Sequence, residues 1–233
     1  WPEVAALHGK QVLDVGAGLG FFSVRLAEMG GKVTATDMDQ ASLDYLRHHH
    51  GIAVRRANVD VDELPPGPFD LVFMGEVLEH VVDPCKVLAK ARDVLTPSGR
   101  ILLTTPALEG VLIHSWGKRL GHHDGAEKHE RDGFSCGELD GLLRQVGMKI
   151  ERRAFSLYLM AELFMQVTKL AYLRKKAVYR SQADVLTEVK SLKYKLLRMI
   201  YPALLFMFAV EQHLCERLSI PGHCHILVVR KAV

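Results

Sequence analysis

Apolar positions fall in short unbroken runs at the start of the chain and in longer, differently spaced runs near its end. Val12, Leu13 and Val15 form a run without alternation, the pattern of a strand buried on both faces of a parallel sheet. Phe21 to Met29 reads as a helix, with Phe22, Leu26 and Met29 at helical spacing. Gly30 and Gly31 end it. Lys32 to Thr36 is a second strand with Asp37 at its tip. Much later, the span from Leu157 to Pro221 reads as helical. "LYLMAELFMQVTKLAYL" is apolar around most of its circumference, and "MIYPALLFMFAV" follows from Met199 to Val210.

The link between the first strand and its helix carries the chemistry. Gly16, Gly18 and Gly20 allow a tight turn and the close approach of a ligand to the backbone. A strand, a glycine turn, a helix and a second strand ending in an acid make a nucleotide-shaped pocket at the carboxyl edge of a parallel sheet. A carboxylate at Asp37 can accept hydrogen bonds from both hydroxyls of a ribose. The dinucleotide fingerprint G-x-G-x-x-G needs a glycine at position 21, where this chain has Phe21, and its pyrophosphate would sit on the helix N-terminus. Asp14, two residues before the turn, would repel a pyrophosphate but suits a cationic amino-acid ligand. The run "LDVGAGLG" resembles motif I of the class I S-adenosylmethionine-dependent methyltransferases. The resemblance implies S-adenosylmethionine as cofactor, held by Asp14, Gly16, Ala17, Gly18, Asp37 and Met38.

The rest of the chain resembles that family in the same order. "VRRANVDVDELP" corresponds to a third strand, and the correspondence places Asp60 and Val61 at the adenine, the carboxylate at its exocyclic amine and a backbone N–H at a ring nitrogen. "FDLVFMGEVLEHVVDPCKVL" resembles the fourth strand and its helix, with Met74 and Gly75 beside the methionine end of the cofactor. "VLTPSGRILLTTP" resembles the fifth strand, Ile101 to Thr105, after a Pro97–Gly99 turn. "HERDGFSCGELDGLLRQVGMKIERRAF" resembles the later helix and sixth strand, and "CHILVVRKA" the seventh. The implied fold is α/β: a Rossmann-like, seven-stranded, mostly parallel sheet with helices on both faces, plus a helical insertion between the last two strands. Residues 1–156 and 222–233 would form the methyltransferase core, and 157–221 a lid within the same domain. The family usually carries one or more helices before the first strand, so an N-terminal piece is expected ahead of Trp1.

Composition narrows the picture a little further. The 233 residues suffice for one full core, and 48% hydrophobic is high but ordinary for a soluble domain. A formal net charge of +3 gives no reason to expect nucleic acid. Lys and Arg cluster in the apolar insertion and not among aromatics on strands. Cys85, Cys136, Cys215 and Cys224 form no C-x-x-C pair, which fits a reducing cytoplasm. The first residues show no signal peptide.

The insertion has two readings. It is either a plain helical cap over the substrate pocket or an interfacial lid. In the second, apolar faces dip into headgroups at the inner face of the membrane while Arg174, Lys175, Lys176, Arg180, Lys190, Lys193, Lys195 and Arg198 meet anionic lipid. A dimer interface is a lesser alternative. An apolar stretch of about 12 residues is too short to span a bilayer, and Pro202 would kink it. Either lid or cap predicts an apolar or amphiphilic acceptor.

Methyl transfer requires in-line alignment and removal of a proton. Glu76, Glu79 and His80 fall at i, i+3, i+4, one face of a helix start. Their segment closely resembles the O-methyltransferases of ubiquinone biosynthesis, where the corresponding residues are assigned to a divalent metal such as Mg2+. Such a metal would lower the acceptor hydroxyl's pKa; the other reading has His80 merely packing or capping. Glu76, His80 and His129 are the candidate catalytic residues. His129 is the first choice of general base, with His122 and His123 as weaker candidates nearby. Trp116, Lys118 and Arg119 belong either to an active-site flap or to packing on the core. His48 to His50 read as the basic end of a surface helix. His213, Cys215, His223, Cys224 and His225 look like zinc ligands, but on a strand Cys224 points away from both neighbours.

The expected function is O-methylation of an apolar small molecule such as a quinone precursor, a lipid or a lipid-linked intermediate. The alternatives are methylation of a soluble secondary metabolite or sugar, and a non-catalytic cofactor-binding module at a membrane. Intact Asp14, Gly16, Gly18 and Asp37 argue against the last.

Overall fold

The first strand, β1 (Gln11–Val15), is buried on both faces, and its neighbouring side chains belong to two different apolar layers. Val12 joins Leu26, Leu43 and Leu46 on one side of the sheet. Leu13 and Val15 join Leu88, Leu139 and Leu143 on the other. The same split recurs along the central strands, which is why these segments read as continuous apolar runs and not as alternation. Each fully buried leucine in these layers contributes about 1.5–3 kcal/mol.

The computed structural model describes residues 7–109, 130–161, 163–164 and 192–232. Its strands are β1, β2 (Lys32–Asp37), β3 (Ala53–Arg56), β4 (Phe69–Gly75), β5 (Leu95–Pro106), β6 (Met148–Ser156) and β7 (Cys224–Lys231). They form one seven-stranded sheet in the order β3-β2-β1-β4-β5-β7-β6. The strands from β3 through β5 pair in parallel, and β7 runs antiparallel to both β5 and β6. The fold class read from the sequence is the one observed. The fifth strand differs in detail, because it starts at Leu95 and takes the expected Pro97–Gly99 turn into itself, with a register irregularity opposite Phe69 and Leu71.

Helices α1 (Phe21–Glu28), α2 (Gln40–His50), α3 (Pro84–Asp93) and α4 (Cys136–Gln145) cover the two faces. Their starts are written locally. Asp39 caps α2 through Ala41 and Ser42, Asp83 caps α3 with Pro84 in the first turn, and Ser135 and Glu138 form a reciprocal capping box on α4. The three histidines end α2, closed by left-handed Gly51. In α1 the buried positions are Ser23 and Leu26, whereas Phe22 is exposed and tilts against Phe73 with ring centroids 4.7 Å apart.

The chain leaves β1 toward β2 and later leaves β4 toward β5, so the sheet order reverses between β1 and β4. Their carboxyl ends bound the crevice where open α/β sheets bind ligands. Helix α5 (Leu192–Arg217) lies between β6 and β7 in the chain and runs on through Pro202, where the sequence suggested a kink. Phe208 meets Phe164 at 5.9 Å between ring centroids, and Glu211 accepts the Met160 N–H at 2.8 Å. No helix of the described residues is long and apolar enough to cross a membrane.

Candidate active site

The glycine turn is knitted to the end of β2. The N–H groups of Gly16 and Ala17 both donate to the Thr36 carbonyl, at 2.8 and 2.9 Å, and Gly20 donates to Ala17 at 2.8 Å. Gly16, Gly18 and Gly20 all have positive φ, which any other residue adopts only with strain. A Cβ on Gly18 would meet nothing within 4 Å, so the turn opens onto free space at that point. One on Gly16 would come within 2.7 Å of Val77 in the turn after β4.

Two carboxylates flank this turn. Asp37 accepts the Gly18 N–H on one oxygen and the Asp39 N–H on the other, both at 2.8 Å. A carboxylate has about four acceptor positions, so two remain for a ligand. Asp14 is buried at the end of β1 and accepts the Ser23 hydroxyl at 2.5 Å. Burial is the main cause that pushes its pKa up to about 6; Ser23 opposes the rise and the charge of Asp37 adds to it.

Around the same edge stand exposed apolar side chains: Phe21 after the turn, Met38 after β2, Val61 after β3 and Val82 after β4. Asp60 accepts the Val82 N–H at 3.0 Å, which draws the last two segments together. Lys90 from α3 secures the same loop on the Val59 and Asp62 carbonyls. The Val61 N–H, expected at a ring nitrogen, instead donates to the Asn58 carbonyl at 3.1 Å within its own turn.

Beyond Gly75, the end of β4, the chain makes a turn and not the helix start expected there; α3 begins only at Pro84. Glu76 takes a left-handed conformation at φ 54°, rare for such a residue. Its N–H donates to the Thr104 carbonyl at 3.0 Å, and its Oε1 accepts the Thr104 hydroxyl at 2.9 Å and the Cys224 thiol at 3.3 Å. Glu79 is 1% exposed and accepts the Thr105 hydroxyl at 3.1 Å. Burial first, then the neighbouring charge of Glu76, pushes its pKa up to about 8. His80 Nε2 stands 4.0 Å from Glu79 Oε1.

Glu76, Glu79 and His80 thus lie close in sequence without forming a convergent metal set. Among the described residues, the set whose donor atoms all lie within 4.8 Å of one another is Glu109, Cys136 and His225. His129, His122, His123, Trp116, Lys118 and Arg119 lie outside the described residues. Ser23, Thr104 and Thr105 are partners of the candidate acids that nothing local in the sequence singles out, and Cys224, noted there beside His225, proves to be a partner of Glu76.

Residues 7–149, more than half of the chain, match the family model described as a methyltransferase domain. The chain belongs to the class I S-adenosylmethionine-dependent methyltransferases. Among its relatives is a ubiquinone biosynthesis O-methyltransferase of Pseudomonas aeruginosa, 38% identical over 109 residues, which are 44% of this chain and 47% of that protein. Another protein of that name, from Xanthomonas euvesicatoria, is 33% identical over 167 residues, 65% of this chain and 68% of the relative. The chain spans about half the length of the first of these. An S-adenosylmethionine-dependent methyltransferase from Mesorhizobium loti superposes with a TM-score of 0.58 at 19% identity, over 99% of this chain and 97% of that one. The [4+2]-cyclase SpnF superposes at 0.61 and 16% identity, over 100% and 79%. At such identities the likeness is one of fold.

For this methyltransferase the implied cofactor fits the residues present. The glycine turn opens onto free space, Asp37 keeps acceptor positions unused by its two backbone donors, and exposed Met38 and Val61 offer apolar surface at the same edge.

Proposed function

We propose that this methyltransferase acts on a hydroxyl oxygen of an apolar or amphiphilic small molecule, such as a quinone precursor, a lipid or a lipid-linked intermediate. When bound, S-adenosylmethionine supplies an activated methyl group on a sulfonium. In this reading Asp37 receives the ribose hydroxyls, and Gly16, Ala17 and Gly18 let the ligand lie against the backbone. Met38, Asp60 and Val61 border the adenine, with Asp60 offering its second carboxylate oxygen. Asp14 faces the cationic amino-acid end, with the Gly75 backbone at the end of β4 beside it.

Glu76 and Glu79 form a carboxyl pair at the carboxyl end of β4, with Glu79 the partner that burial favours in its protonated form. Glu76, held by the Thr104 hydroxyl and the Cys224 thiol, is the member proposed to take the acceptor's proton. His80 beside Glu79 and His129 are the further proton acceptors of the proposal. No step is drawn through a metal at Glu76, Glu79 and His80, because their donor atoms do not converge as a set.

The acceptor class rests on one observation, the outer face of α5. Phe206, Val210 and Leu214 recur at four-residue spacing and are exposed, Phe206 by 74%. Leu204, Met207, Phe208, Glu211 and Cys215 are half-buried, with Phe208 against Phe164 and Glu211 on the Met160 N–H. Arg198, Lys195 and Lys193 precede this stripe in the same helix. An exposed apolar stripe next to basic residues suits peripheral contact with anionic lipid, which is in keeping with relatives named for ubiquinone biosynthesis. The test is an acceptor screen with methyl-labelled cofactor. Label passing to isoprenoid phenols or lipid extracts in preference to water-soluble phenols and sugars is expected; the reverse preference overturns the proposal.

A further inference from the structure

Adjacent residues of β7 face opposite sides of the sheet, and each meets a carboxylate. Cys224 reaches Glu76. His225 turns the other way, fully buried, with its ring centroid 5.0 Å from that of Phe155. Its Nε2 lies 2.9 Å from the Phe134 carbonyl and 3.5 Å from Glu109 Oε2, and its Nδ1 is buried with no hydrogen-bond partner. Glu109 Oε2 is likewise buried without a hydrogen bond. The other oxygen of Glu109 accepts the Cys136 N–H at 2.5 Å, and Cys136 is the first residue of α4.

The three side chains come from distant parts of the chain and are brought together by the fold. Ala107 bridges to Phe134, the Leu108 N–H donates to the Phe134 carbonyl and the Phe134 N–H to Pro106, which sets Glu109 beside the start of α4. His225 reaches the same place because β7 pairs with β5, Thr105 opposite His225. One donor atom each from Glu109, Cys136 and His225 lies within 4.8 Å of the others.

Each buried polar atom left unpaired costs about 1–3 kcal/mol, and here two such atoms share one cluster. A cation beside Glu109 Oε2 would satisfy that oxygen, and Nε2, the ring nitrogen of His225 that faces it, would exchange the Phe134 carbonyl for the ion. One imidazole nitrogen, one sulfur and one carboxylate oxygen form a mixed donor set of the kind that selects zinc-like ions. Mg2+ and Ca2+ take oxygen ligands. Arg153 is the nearby opposing charge, and it is engaged by Asp140 at 2.6 Å. We propose that Glu109, Cys136 and His225 form a binding site for one zinc-class divalent cation, tying the end of β5, the start of α4 and β7 together. Its donor set includes none of Glu76, Glu79 and His80.

The test is titration of the metal-free protein with Co2+, followed by absorption. The expected result is one ion per chain with a thiolate-to-cobalt charge-transfer band, displaced by Zn2+ and not by Mg2+. Cys136→Ser should remove the band, and Glu109→Gln and His225→Gln should weaken binding by at least about tenfold, the lower bound known even for outer-sphere partners of metals. Circular dichroism and S-adenosylhomocysteine binding verify that each variant is folded. In the unaltered protein, Zn2+ should also protect Cys136 from alkylation while leaving Cys85 unaffected, because the thiolate that attacks the reagent is then occupied as a metal ligand. No Co2+ uptake, a band that persists in folded Cys136→Ser, or unchanged alkylation of Cys136 overturns the site.

Discussion

Replacing Asp14 with Asn tests whether the acid before the glycine turn is held at an electrostatic cost until a ligand arrives. Its carboxyl is 2% exposed, and its pKa stands at about 6 against an ordinary 3.8. The unfolded chain therefore gives up this proton at lower pH than the folded one. The stability contributed by the protonated group is complete below pH 3.8 and is lost as pH rises toward about 6. The full loss is about 3 kcal/mol, of which about 1.5 kcal/mol falls between about pH 5 and about pH 8. Asn cannot ionise but can still accept from the Ser23 hydroxyl. Urea denaturation at the two pH values should show Asp14→Asn gaining about 1.5 kcal/mol relative to the unaltered protein as pH rises. S-adenosylhomocysteine, with its cationic amino group, should stabilise the unaltered protein more than the variant at the higher pH. Parallel pH dependence of the two proteins would refute the reasoning.

Three further outcomes are expected. Gly20→Ala should destabilise by about 2–4 kcal/mol in denaturant melts, because φ is 79° and the new Cβ would lie 2.2 Å from Leu46 in the core. Glu79→Gln should remove an apparent pKa near about 8 from the pH dependence of methyl transfer, since that carboxyl is raised by burial and by Glu76. Phe206→Ser with Leu214→Ser should lower flotation with anionic vesicles at least about tenfold while leaving S-adenosylhomocysteine affinity unchanged, because the stripe lies on the outer face of α5.

What was readable in the sequence was local. The turn Gly16–Gly20 and the apolar run Val12–Val15 each declare themselves within a few residues, and the sheet follows from the order of such segments. Glu76 and Glu79 were visible as acids, but their spacing looked helical; the left-handed Glu76 and its bond to the Thr104 backbone make a turn instead. Their partners were out of reach, since Cys224 is 148 positions from Glu76 and meets it only through the pairing of β7 with β5. The tempting cluster around Cys215 and His225 was already doubtful on strand alternation alone, but where His225 goes instead was out of reach. Strand alternation sends Cys224 and His225 to opposite faces, and His225 finds Phe134, 91 positions away, beside Cys136.

The most direct test of the account is a calorimetric titration of the folded protein with S-adenosylhomocysteine, run beside Asp37→Ala. Saturable binding with one ligand per chain, weakened at least about tenfold by the loss of charge-assisted hydrogen bonds in the variant, is the result the glycine turn predicts. No binding by the folded protein, or equal binding by Asp37→Ala, would contradict it.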